Sequence, residues 1–244
     1  MKILLSALLL LSFSQVYAAK SSRNDQAVSN AARTIDDKKA DENRHPKEML
    51  DFSKVNPGDT VVDFFPGKGY FTRLFSSAVG PKGHVIAHVP KEVEGAKFKP
   101  VEAINSGIEG FKNVEVKVTP LTVAPAEKVD LIWTSQNYHD LHIKSFIEAD
   151  VTAFNKMLFN MLKPGGHLVV VDHVAANGAT SVDIEKLHRI DPKQVRAEIE
   201  AAGFVFEAED KTLLRNEDHS LNVFDPAIRG KTDQFAYRFI KPKK

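Results

Sequence analysis

His139 and Asp140 stand side by side in the run Thr134-Ser135-Gln136-Asn137-Tyr138-His139-Asp140. An imidazole titrates near neutral pH, and a neighbouring carboxylate can hold it in one orientation. Such a pair can take a proton from a nucleophile. His139 is read as a candidate base, Asp140 as its orienting partner, and Tyr138 as a residue that positions a substrate or stacks on it. Asp172-His173 is a second polar pair, closing an apolar run. Consecutive strand residues point to opposite faces, so one of the two is expected to line a pocket, and His173 is taken as that one. His188 is a candidate lid residue, and Asp191 reads as the N-cap of a helix beginning at Pro192. His139, His142, His173 and His188 are metal-ligating types. H-D-L-H is not an established ligand spacing, however, and no metal is expected.

Phe65-Pro66-Gly67-Lys68-Gly69-Tyr70 joins an apolar run to a helical one. Two glycines let the backbone approach a ligand closely, and a helix N-terminus offers free N–H donors to a carboxylate or phosphate. The dinucleotide pattern G-x-G-x-x-G is not met, because Thr72 takes the third glycine's place. The ribose-binding acid expected at the end of the next strand is replaced by His88-Val89, which disfavours a nicotinamide dehydrogenase. Gly230-Lys231-Thr232 is similar to the end of a phosphate-binding loop. Asp225 stands where that loop needs its first glycine, so this reading is rejected.

These residues must be positioned by regular elements. Thr60–Phe65, His84–Val89, Val114–Val118, Val129–Trp133, His167–His173, Phe204–Ala208 and Phe235–Ile240 read as strands. Helices are expected over Lys47–Phe52, Tyr70–Val79, weakly over 95–107, over Lys144–Leu162, and from Pro192 to the stop at Gly203. Apolar strands separated by helices define an α/β domain. Its seven-stranded, mostly parallel sheet is covered by helices on both faces. Ligands bind such a sheet at the carboxyl ends of its strands, where the polar clusters fall. Trp133, inside a strand, is expected in the core.

The chain has 244 residues, of which 43% are apolar, which excludes wholesale disorder. A net charge of +1 offers no electrostatic case for nucleic acid. The absence of cysteine excludes disulfides, thiolate metal sites and a cysteine nucleophile. Lys2, the apolar run Ile3 to Phe13 and Val16-Tyr17-Ala18 read as a cleavable signal peptide over residues 1–18, cut after Ala18. The run is about half the ~20 residues that span a bilayer, so no stable membrane anchor is expected and the mature chain is periplasmic or secreted. Residues 19–44 are charge-dense and of mixed sign, and read as a mobile or loosely helical arm ahead of one domain over 45–244.

Val61-Val62-Asp63-Phe64-Phe65-Pro66-Gly67-Lys68-Gly69 resembles motif I of the class I S-adenosylmethionine-dependent methyltransferases. Val129-Asp130-Leu131-Ile132-Trp133 resembles their fourth strand. Leu162-Lys163-Pro164-Gly165-Gly166 with the run to His173 is similar to the turn and fifth strand they share. Asn137-Tyr138-His139-Asp140, Leu187-His188-Arg189-Ile190-Asp191-Pro192 and the stretch Phe224 to Asp233 look like a bacterial subfamily of exported methyltransferase-like proteins. The resemblance implies a Rossmann-like fold and S-adenosylmethionine as cofactor. It also implies methyl transfer to a small-molecule or envelope substrate, with His139, Asp140, Tyr138 and His173 as the catalytic set. It places the cofactor against Asp63, Phe65, Pro66, Gly67, Gly69, Tyr70, His88 and Asn137. Motif I departs from the usual pattern in that Phe65 takes its first glycine, where a benzyl group would crowd the methionine part of the cofactor. The usual ribose acid is His88 or Val89, and the acid after the third strand is Thr119 or Pro120. The alternative is a non-catalytic or repurposed binding protein of the same fold in the periplasm.

Overall fold

A computed structural model describes residues 22–124, 127–217 and 219–243. The expected signal peptide and its cleavage point lie outside the described residues. In chain order the elements are α1 (Arg23–Val28), α2 (Ile35–Arg44), α3 (Pro46–Ser53), β1 (Thr60–Phe64), α4 (Tyr70–Val79), β2 (His84–Pro90), α5 (Pro100–Gly107), β3 (Val114–Thr119), β4 (Val129–Ser135), α6 (Val151–Met161), β5 (Leu162–His173), α7 (Ser181–Leu187), α8 (Pro192–Ala201), β6 (Val205–Asp210) and β7 (Gln234–Ile240).

The strands form one seven-stranded sheet in the order β3-β2-β1-β4-β5-β7-β6. β1 to β5 are mutually parallel, and β7 runs antiparallel to β5 and β6. Period-2 alternation sorts the strand residues into two cores. Val61, Leu131, Trp133 and Val169 pack with α3 and α4, while Val62, Ile132, Leu168 and Val170 pack with α6 and α8. Trp133 is fully buried against Phe71 and Phe75, as its place in a strand implied.

From β1 the chain winds outward to β2 and β3, and from β4 it winds the other way. The crevice of such a sheet opens where the winding reverses, at the carboxyl ends of β1 and β4. Phe64 pairs with His88 on one side and Thr134 on the other. This register sets the loops after β1, β2 and β4 side by side.

The expectation of a mobile arm over 19–44 is corrected for its described part. Ser22 and Thr34 cap α1 and α2. Arg73 of α4 donates to both carboxylate oxygens of Asp37, at 2.7 and 2.6 Å, and Asn30 donates to Ser77 at 2.7 Å. Arg33 pairs with Asp41 and is itself buried. Arg33, Asp37 and Asp41 of this segment are partners of one another and of Arg73 and Tyr70 on α4, while Asp36, Lys38, Lys39 and Glu42 are exposed. The helix expected over Lys144–Leu162 begins later, because Asp150 caps it by accepting from the Ala153 N–H at 2.9 Å. α7 stands outside the expected helices, although Thr180 and Asp183 form a capping box. Among the described residues, no helix is long and apolar enough to cross a membrane.

Candidate functional site

The chain leaves β1 through a tight loop. Phe65 adopts φ 54°, the left-handed conformation that a glycine takes freely, and Gly67 and Gly69 follow at φ 56° and 82°. For a non-glycine residue that conformation costs roughly 1–2 kcal/mol. The loop is held down at two points. The Phe65 N–H donates to the His88 carbonyl at 3.0 Å, and the Asn137 amide donates to the Phe65 and Ser135 carbonyls at 3.1 and 2.8 Å. Gly69 is the N-cap of α4 and supplies no side-chain cap, so the first-turn N–H groups are left to face the loop.

Two cavities meet at Phe65, Pro66, Gly67, Lys68 and Asn137. One, of about 250 Å³, is walled mainly by apolar side chains, among them Val89, Pro90, Val93, Phe98 and Phe146, with Asp140 at its polar edge. The other, of about 390 Å³, is lined by Asp36, Asp37, Arg44, Asp63, Tyr70 and Gln136 together with the apolar Ala40 and Phe71. A side chain at Gly67 would meet no atom within 4 Å, so the backbone there lies open to the cavities.

Asp63 accepts a hydrogen bond from the Thr72 hydroxyl at 2.6 Å. Burial pushes its carboxyl up to about 7, against the opposing pull of Thr72 and Arg44. Tyr70 donates its hydroxyl to Asp41 at 2.7 Å, and the Arg44 guanidinium lies 4.6 Å over its ring. Arg44 also donates to Gln136 at 3.0 Å. The helices ahead of the sheet therefore complete the polar cavity, and Arg44, Asp37 and Gln136 are site residues that the sequence did not single out. Helix–sheet docking places Arg44 and Asp37, and Gln136 follows β4 directly.

Two expected site residues face elsewhere. His88 is fully buried, its ring tilted against Phe64 with centroids 4.3 Å apart and hydrogen-bonded to Thr119 at 2.7 Å. Burial pushes its imidazole down to about 4, and it walls neither cavity. Tyr138 is also in the core, with its hydroxyl donating to Glu198 at 3.0 Å and accepting from Asn155 at 2.7 Å. Tyr138 opens a 3-10 turn over His139–His142, and this twist turns its ring away from the crevice.

His139 is buried at the end of β4's loop. Its Nδ1 lies 2.8 Å from Asp172 Oδ1, and its backbone N–H donates to Asp172 Oδ2 at 2.7 Å. Its Nε2 faces Asp140 Oδ1 at 3.3 Å. Asp172, not Asp140, therefore orients the imidazole, and Asp140 is the member of the group that reaches a cavity. Burial pulls the His139 imidazole down, but the carboxylates of Asp172 and Asp140 outweigh it and raise its pKa. Burial pushes the Asp140 carboxyl up to about 6. His173 lies 5.7 Å from the His139 ring and bonds through Nδ1 to the Thr232 hydroxyl at 2.7 Å. Strand parity alone puts one of Asp172 and His173 near the site. The loop after β4 folds across the end of β5, so both meet His139, and neither walls either of these two cavities. The signal for Asp172 was present as an acid ending a buried strand.

No family model matches the sequence. The ubiquinone/menaquinone biosynthesis C-methyltransferase UbiE of Vibrio cholerae serotype O1 is 34% identical over 127 residues, which is 50% of this chain and 44% of that protein. Its counterpart in Ectopseudomonas mendocina is 32% identical over 129 residues, 50% of this chain and 45% of that one. The chain thus spans less than half the length of these curated relatives. Among solved structures, a SAM dependent methyltransferase from Aquifex aeolicus superposes with a TM-score of 0.59 at 19% identity, covering 85% of this chain and 100% of that one. The N-methyltransferase NodS from Bradyrhizobium japonicum WM9 gives 0.56 at 15%, covering 86% and 100%. The cyclase SpnF gives 0.59 at 14%, covering 88% and 86%. The fold is the Rossmann-like methyltransferase fold, and the curated relatives support the resemblance to the class I S-adenosylmethionine-dependent superfamily. A cyclase among the neighbours shows that this fold alone does not name the reaction.

Proposed function

We propose that the chain is an S-adenosylmethionine-dependent methyltransferase acting on a small molecule. The observation that carries this reading is the pair of unlike cavities meeting at the glycine loop. The apolar one suits a planar base, with Val89, Pro90 and Val93 as its walls. The polar one suits an amino-acid group, with Arg44 opposite its carboxylate and the acids Asp36, Asp37 and Asp63 opposite its ammonium. Phe65 does not block this arrangement, because its left-handed backbone lets its side chain wall both cavities. The ribose would be held without the usual acid, by loop backbone and Asn137. When bound, the cofactor supplies an electrophilic methyl group. The chain's own contribution is to exclude water from the crevice and to hold the acceptor in line. Asp140 presents a carboxylate to that acceptor, and His139 and Asp172 fix Asp140 from behind.

Calorimetry with S-adenosylmethionine and S-adenosylhomocysteine tests the reading directly. Binding by both is expected, and silence at millimolar ligand would sink the proposal. His139→Ala is expected to keep binding and lose turnover, and unchanged turnover would remove His139 from the machinery. Export belongs to the same proposal. Mass spectrometry of the secreted or periplasmic product should find Ala19 as the first residue, and an uncleaved cytoplasmic chain would refute it.

A further inference from the structure

The loop after β4 and the C-terminus of α7 bring three ligating atoms together. His139 Nε2 and Asp140 Oδ1 are 3.3 Å apart, and His188 Nδ1 is 3.9 Å from the same Asp140 oxygen. One such atom from each residue lies within 4.8 Å of the others. We propose that His139, Asp140 and His188 form a binding site for a divalent first-row transition ion.

Ligands about 2.1 Å from such an ion sit roughly 3.0–3.4 Å from one another. The His139–Asp140 separation is already in that range, and His188, 3.9 Å from the same Asp140 oxygen and within 4.8 Å of the His139 nitrogen, must close further on both. Two imidazoles and one carboxylate form a set that such ions take, leaving further positions open. The support behind the ligands is also in place. Asp172 holds His139 through Nδ1 at 2.8 Å and thereby aims Nε2 at the site. This is the carboxylate–histidine arrangement that orients and strengthens a metal-bound imidazole.

A purely hydrogen-bonded relay accounts for His139 and Asp140 but not for His188. The His188 Nδ1 atom is buried from solvent and has no hydrogen-bond partner. Buried polar atoms without partners are rare, because desolvation is then uncompensated. Its ring is held 4.9 Å from Phe224 and 5.5 Å from His139, so it is packed in place. The other histidines nearby are spent otherwise. His142 pairs with Glu198 at 3.1 Å and His173 with Thr232 at 2.7 Å. A second grouping, His84 with Glu115 and Glu127, lacks these features, since its acids are exposed and pair with Lys117. Asp140 also walls the apolar cavity, so an ion here would face it and offer an open position to a substrate oxygen.

The test needs neither cofactor nor substrate, so it stands apart from the methyltransferase reading. Chelator-stripped full-length protein is titrated with Co²⁺, followed by visible absorption, and with Zn²⁺, followed by calorimetry. One ion per chain is expected, with a Co²⁺ spectrum of nitrogen–oxygen coordination. His188→Ala should abolish that spectrum while circular dichroism stays unchanged. Asp172→Asn should weaken Zn²⁺ binding about 10–100-fold. His142→Ala should leave binding unaltered, which covers the case in which a ligand variant misfolds. No stoichiometric binding, or binding that survives His188→Ala or depends on His142, would overturn the site.

Discussion

Phe65 and Gly67 set the loop where the two cavities meet. Both have positive φ, yet only Gly67 presents bare backbone to the cavities. Gly67→Val would add about 1–2 kcal/mol of backbone strain and fill the space where the cavities join. The expected outcome is loss of detectable S-adenosylhomocysteine binding by calorimetry, with the circular dichroism spectrum retained. His88 carries the opposite expectation. Its ring packs on Phe64 and bonds Thr119 in the core. His88→Ala should therefore cost about 1–3 kcal/mol of stability in urea unfolding. S-adenosylhomocysteine affinity should stay unchanged, and a large affinity loss would return His88 to the cofactor's surroundings.

At the scale of elements, α1 and α2 behave as part of the domain. Asp37 answers the buried guanidinium of Arg73, and together with Arg44 it walls the polar cavity. Removing one partner of a buried pair leaves the other charge uncompensated. Asp37→Ala should cost about 3–5 kcal/mol in denaturant unfolding. It should also raise hydrogen exchange across residues 23–44 and weaken cofactor binding. Unchanged exchange would mean that these helices are held by other contacts. Much of the element pattern was legible beforehand, because apolar alternation marks buried strands whatever they pack against. Tyr70–Val79, for instance, begins and ends where its glycines predicted. The arm was not legible, because a charge that pairs with α4 looks the same in sequence as one that faces water.

At the scale of the whole molecule, Glu207 on β6 ties the sheet edge to α3. It accepts from Lys54 at 2.6 Å and from Arg238 at 2.6 Å, and Arg238 also donates to the Phe52 carbonyl. Burial raises the Glu207 pKa, but the bonds from Lys54 and Arg238 outweigh it and lower it from 4.5 to about 2. A depressed carboxylate stabilises the fold above its unfolded pKa, and that contribution is lost as pH falls through the folded value. Stability should therefore decline between about pH 4.5 and 2. Glu207→Gln should flatten that limb of the melting-temperature profile, and an unchanged acid limb would exclude this clamp as its source.

The sequence by itself determined the seven strands, the parallel sheet and the loop edge where polar residues gather. Local periodicity and turn residues encode those features directly. It also named His139 and Asp140 as chemistry-bearing residues. Only the tertiary structure decided their partners. Asp172 lies 33 residues from His139 in the chain, and Asn137 lies 72 from Phe65. The fold turned Tyr138 and His88 into the core, placed Arg44 in a wall, and brought His188 against Asp140. No spacing rule records such meetings, because they depend on how separate elements dock and not on the run of residues within any one of them.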